Sequence, residues 1–133
     1  MNDGKRVRIL VVDDDTDSGT VVADCLAGYD VTVLTDPLEA LRIILDGDAF
    51  DVIVSDMMMP GMNGDALYAK LLREAPAQAE RMIFVTGGGT TTETRAFISA
   101  MSGRVVGKPI TLEALMKRVE ERLALRISTS QPR

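Results

Sequence analysis

DVIVSDMMMPGMNG, residues 51–64, is the stretch on which the reading of this chain turns. It opens as an apolar, β-branched run of the kind that forms a strand covered on both faces. At Asp56 it breaks into three methionines and the turn-forming residues Pro60, Gly61, Asn63 and Gly64. The pattern predicts a strand over Phe50–Ser55, a loop holding Asp56, and a helix over Asn63–Glu74 that Pro76 stops. A carboxylate at the end of such a strand occupies the place where open α/β sheets bind their ligands.

Upstream, Val7–Val12 is another short apolar run, ended by Asp13-Asp14-Asp15. Thr16–Ala27 then has apolar residues at Val21, Val22, Cys25 and Leu26, which predicts a helix with an acidic first turn, closed by Gly28. Asp30–Leu34 reads as a strand. Asp36-Pro37-Leu38-Glu39 is a strong helix start, with Asp as N-cap and Pro at the first position, for a helix reaching Gly47. Downstream, Arg81–Val85 predicts a strand ending at Thr86, and Gly87-Gly88-Gly89 a flexible loop. Thr90-Thr91-Thr92-Glu93 has the spacing of a capping box for a helix to about Met101. Arg104–Val106 reads as a short strand before Lys108-Pro109, and the last helix starts at Thr111.

Five alternations of strand and helix predict an α/β fold, a parallel sheet with helices on both faces. The C-terminal strand ends then share one edge, which collects Asp13 and Asp14, Asp56, Thr86 and Lys108. The second strand brings only Thr35 and Asp36, which suits an edge position. Three carboxylates gathered together repel one another, and a hard divalent cation with oxygen ligands relieves that repulsion, which favours Mg2+. Lys108 and Thr86 add an ammonium and a hydroxyl donor. The set forms a clamp for a phosphoryl group, with Asp56 as the nucleophile.

Composition narrows the classes. The 133 residues suffice for one domain, with 1–127 expected as the folded unit and 128–133 as a polar tail. Fifteen basic residues are scattered among twenty acidic ones for a net charge of −5, which argues against direct nucleic-acid binding. One cysteine excludes an internal disulfide. With no apolar run near membrane-spanning length and no leader-like start, the expectation is a cytoplasmic domain without membrane contact. Histidine is absent, so any phosphohistidine chemistry needs another molecule.

With LVVDDD at 10–15, DMMMPGMNG from Asp56, VTG at 85–87 and GKP at 107–109, the chain resembles the receiver domains of two-component response regulators, over Arg6 to Leu125. The resemblance implies a flavodoxin-like doubly wound (βα)5 three-layer sandwich with strand order 2-1-3-4-5. It implies Asp56 as phosphoacceptor, Asp14 as a direct Mg2+ ligand, Asp13 as its acidic partner, and Met58 as the residue whose backbone carbonyl ligates the metal. It also implies Thr86 and Lys108 as the switch hydroxyl and the phosphate-binding lysine, with Lys108-Pro109 cis. The implied donor is a phosphohistidine on a sensor histidine kinase or histidine phosphotransfer domain. A domain of this kind assists its own phosphoryl transfer and dephosphorylation. The resemblance extends to receivers of hybrid histidine kinases, so the chain reads as a stand-alone receiver or a part of such a kinase.

Two departures stand out. Val105 holds a position where the family usually has Phe or Tyr, and the switch threonine is followed by a triple glycine. They keep a second reading in view, a phosphorylation-independent pseudo-receiver acting as an interaction module. Output is expected through a downstream protein partner or a fused domain, on the face made by the helix near Thr92, the fifth strand and the last helix. Among rival readings, Asp15 suits a helix cap better than a ligand, and the methionines at 57–59 suit packing better than a soft-metal site. A haloacid-dehalogenase-type phosphatase needs an Asp-x-Asp-Gly-Thr/Val signature that Asp13 to Asp17 do not match. A calcium loop through Asp13, Asp15, Asp17 and Asp24 has Ser18 where glycine is needed.

Overall fold

The structure, a computed structural model, describes residues 6–87 and 91–129. Strands β1 (Arg8–Val12), β2 (Asp30–Leu34), β3 (Val52–Asp56), β4 (Met82–Thr86) and β5 (Val105–Gly107) alternate with helices α1 (Thr16–Cys25), α2 (Pro37–Leu45), α3 (Gly64–Glu74), α4 (Pro76–Ala79), α5 (Thr92–Ala100) and α6 (Leu112–Thr129). All strand pairs are parallel, in the order β2-β1-β3-β4-β5. This is the doubly wound sandwich and the strand order expected.

Strand alternation sorts the core onto two faces. Leu10, Val12, Ile53, Met82 and Phe84 point to one side, against Ala40 and Ile44 of α2, Leu67 and Leu71 of α3, and Ala79 of α4. Ile9, Val11, Val52, Val54, Ile83 and Val85 point to the other, against Val22 of α1 and Leu115 and Val119 of α6. Strands β3 and β4 are buried along their whole length, whereas β2 and β5 are only partly covered, as the two ends of the sheet order require. Cys25 packs at the margin of the second cluster.

The helix starts follow local chemistry. Asp15 and Asp36 accept hydrogen bonds from Asp17 N and Leu38 N, so both act as N-caps, with Pro37 in the first turn of α2. Gly28 and Gly47 leave α1 and α2 at φ of 107° and 110°, a region in which side-chain-bearing residues are strained.

Several expected boundaries move. The strand expected to end at Ser55 runs on to Asp56, because Asp56 pairs with Val85, while the fourth strand ends at Thr86 as expected, where Thr86 pairs with Gly107. Arg104 belongs to a 3-10 turn rather than to β5. Pro76 does more than stop α3: Ala75 breaks the helix at φ −147°, and Pro76 opens the four-residue α4. That short helix is held by Gln78, whose side chain accepts from Phe50 N at 2.9 Å and donates to Phe50 O at 3.2 Å. The cap of α5 is Thr91, which accepts from Thr94 N, one position later than the capping box predicts. Helix α6 takes in Ser128 and Thr129, two residues expected in the polar tail. Thr90, the Gly88-Gly89 part of the expected loop and residues 130–133 lie outside the described residues.

Candidate functional site

The carboxylates expected together are together. Asp13, Asp14 and Asp56 each place a carboxylate oxygen within 4.8 Å of the others. Asp13 follows β1, where its amide still donates to Leu34 O at 3.1 Å and keeps the backbone on the sheet. Its Oδ1 accepts from Asp15 N at 2.9 Å. Asp56 is the last residue of β3, and its Oδ1 accepts from Met57 N at 2.9 Å. Asp13 and Asp56 are buried and Asp14 is exposed, so the cluster opens to solvent on the Asp14 side. Asp17 and Asp24, required by the calcium reading, lie along α1 outside this group.

Lys108 reaches the cluster from beyond β5. Its amide donates to Thr86 O at 2.8 Å, extending the strand pairing, and its Nζ sits 3.3 Å from Asp56 Oδ1 and 3.4 Å from Oδ2. The Lys108-Pro109 peptide is cis. Thr86 ends β4 and is buried with the rest of that strand. Among the described residues, parallel pairing thus delivers Asp13, Asp56, Thr86 and Lys108 from four neighbouring segments to one edge of the sheet.

The charges do not balance. Two like charges at this separation repel by about 3 kcal/mol at an effective dielectric near 20, and one lysine faces three carboxylates. The Asp13 carboxyl responds by rising from 3.8 to about 6, chiefly through burial and then through Asp56 and Asp14, against the Asp15 amide and Lys108. An all-oxygen cluster with surplus negative charge and one open side fits a hard divalent cation.

The loop after Asp56 sorts its methionines. Met57 and Met59 are buried in the first core cluster, and Met58 is 45% exposed. The expected packing role therefore fits two of the three. Sequence reasoning treated Asn63-Gly64 only as a turn and a helix start, and overlooked the contacts both make with this loop. The Asn-Gly pair itself was the available signal, since glycine at the start of a helix also permits close backbone approach.

Val105 pairs with Phe84 in the β4–β5 register and, like Phe97, packs against the core cluster that includes Phe84. Tyr68, Phe84 and Phe97 meet edge to face, with centroids 5.0 to 5.7 Å apart.

Residues 9–120 match the family model of the response regulator receiver domain. The chain belongs to this family. The receiver is similar to the regulatory protein VanRB of Enterococcus faecalis, with 36% identity over 86% of this chain and 51% of that protein. It is also similar to the sensor histidine kinase TmoS of Ectopseudomonas mendocina, with 30% identity over 91% of this chain and 12% of that protein. Among solved structures, a CheY-like response regulator receiver domain protein from Methanospirillum hungatei aligns with a TM-score of 0.78 and 25% identity, covering 94% of this chain and 99% of that one. The receiver spans about half the length, or less, of the curated relatives it matches. Among the described residues no helix is long and apolar enough to cross a membrane.

Proposed function

We propose that this receiver accepts a phosphoryl group on Asp56 from a phosphohistidine on a sensor histidine kinase or histidine phosphotransfer domain. The observation that supports it is the buried Asp56 carboxylate, held 3.3 to 3.4 Å from Lys108 Nζ and within 4.8 Å of two further carboxylates. One Asp56 oxygen forms the new O–P bond, the N–P bond of the donor breaks, and the imidazole leaves with its electron pair and takes up a proton. These 133 residues hold no histidine, so the phosphohistidine lies outside them, on a separate protein or on a fused segment.

Asp13, Asp14, Asp56 and the Met58 backbone carbonyl are the groups that would hold Mg2+, which supplies positive charge against the transferring phosphoryl oxygens. Lys108 starts paired with Asp56, and its ammonium is free to follow the charge from the carboxylate to a phosphoryl oxygen as the bond forms. The Thr86 hydroxyl serves as donor to another phosphoryl oxygen. A partner has to reach this edge, and Ser18, Val21, Pro109 and Ile110 line a shallow pocket beside Lys108 whose apolar rim suits a docking helix. Output passes to a downstream protein or fused domain, and it is not reported by a ring at position 105. A cytoplasmic location is part of the same proposal.

The test is intact-protein mass after incubation with acetyl phosphate and Mg2+, with and without EDTA. A metal-dependent gain of one phosphoryl group, absent in Asp56→Asn, supports the reading. No gain from acetyl phosphate or from a phosphohistidine donor would leave the domain a phosphorylation-independent interaction module.

A further inference from the structure

Residues 57–63 leave the end of β3 and must return at once to begin α3. Their path is tied at several points. The Met57 carbonyl accepts from Gly64 N at 2.9 Å, which closes the loop at its base. Asn63 Oδ1 accepts from Met59 N at 2.9 Å, which braces its middle. Gly64 has no room for a side chain, since a Cβ there would lie 2.6 Å from Asp56 O, 3.2 Å from Met57 Cα and 3.3 Å from Ser55 Oγ. The fully buried Ser55 hydroxyl donates to the same Asp56 carbonyl at 2.9 Å. The backbone of the acceptor is thus gripped between a buried hydroxyl and the first residue of α3.

Asn63 stands at the N-cap position of α3 yet makes no side-chain cap bond to that helix. A cap bond is worth about 1 kcal/mol, and here the side chain is committed to the loop instead. The consequence falls on Met58. The Met58–Met59 peptide is planar and trans, so its N–H and C=O point in opposite directions, and fixing Met59 N–H on Asn63 fixes the direction of the Met58 carbonyl. Burial of Met57 and Met59 on either side pins the same peptide from its flanks.

From these contacts we infer that Asn63 and Gly64, supported by Ser55, are positioning residues: they hold the Met58 peptide and the Asp56 carboxylate in the arrangement that takes a divalent cation. The inference rests on the metal-assisted reading above. Asn63 is its most exposed point, because its side chain can be changed without touching a carboxylate.

The experiment is calorimetric titration of the whole chain with Mg2+, for wild type, Asn63→Ala, Asn63→Asp and Gly64→Ala, together with amide hydrogen exchange at Met59 without metal. Asn63→Ala is expected to bind Mg2+ about ten-fold more weakly and to exchange faster at Met59. Asn63→Asp keeps an acceptor for Met59 N, and should restore both protection and affinity. Gly64→Ala should weaken binding at least as much, and if it fails to fold, the Asn63 pair still decides. Faster Met59 exchange in Asn63→Ala with wild-type Mg2+ affinity would overturn the inference and leave the metal site standing. A wild-type protein that takes no Mg2+ at millimolar concentration would overturn the metal-assisted reading and this inference with it, whatever the exchange pattern.

Discussion

Replacing Asp13 by Asn should stabilise the metal-free protein at neutral pH and do little at acid pH. Asp13 is only 3% exposed, and its carboxyl is raised to about 6, mainly by burial and then by Asp56 and Asp14. An unfolded aspartate ionises at 3.8, so between roughly that value and 6 the folded chain keeps a proton that the unfolded chain releases. The stability this group contributes is therefore greatest below that window, falls as pH rises through it, and is lowest above about 6. At ~1.4 kcal/mol per pH unit the cost near neutrality is at most about 3 kcal/mol. The cluster is open to water on the Asp14 side, which screens part of it, so about 1–2 kcal/mol is the reasoned size. Asn removes the charge and keeps an oxygen for the Asp15 amide. For a domain of this length that amounts to a rise in Tm of about 4–7 °C near pH 7.5, shrinking to within about 2 °C near pH 4.5. Thermal unfolding in EDTA followed by circular dichroism measures it, and added Mg2+ should narrow the gap by stabilising wild type more than the variant. A gap of equal size at both pH values, or a wider one in acid, would refute the electrostatic argument.

Two further outcomes follow from individual contacts. Arg104 donates through Nε to Met82 O at 3.0 Å and through Nη2 to Ala79 O, with its guanidinium over the rings of Tyr68 and Phe84, so Arg104→Met should cost about 2 kcal/mol and lower Tm by about 7 °C. Urea unfolding with an unchanged midpoint would show that these bonds contribute nothing net. Lys108 lowers the Asp13 carboxyl through its charge, so Lys108→Met should move the Asp13 midpoint upward from about 6, as carboxyl chemical shifts would record. A midpoint that stays or falls would mean that the lysine does not act on this cluster.

The sheet and its site were legible because both depend on short-range signals that topology then assembles. Apolar runs at Val7–Val12 and Arg81–Val85 mark buried strands, and the residue that ends each run lands on the shared edge once the strands are parallel. The end of the third strand was less legible: whether Asp56 closes the strand or opens the loop depends on Val85 opposite it, which no local pattern encodes. Pro76 looked like a terminator because proline ends helices, but it equally begins them, and the choice was made by Gln78 reaching the distant Phe50 backbone. The threonine cap of α5 shifted by one because Thr90, Thr91 and Thr92 are chemically equivalent candidates. The grip on Asp56 by Ser55 and Gly64 was illegible for a related reason, as it is a contact between a strand end and a helix start that exists only after both have formed.

The central claim, that Asp56 is the phosphoacceptor, is tested most directly by locating the acyl phosphate. After labelling with acetyl phosphate and Mg2+, borohydride reduction converts a phosphorylated aspartate to homoserine, and peptide mass mapping finds its position. The account predicts homoserine at position 56 and none at Asp13 or Asp14. Reduction at either of those, or a phosphoryl group that resists borohydride altogether, would contradict it.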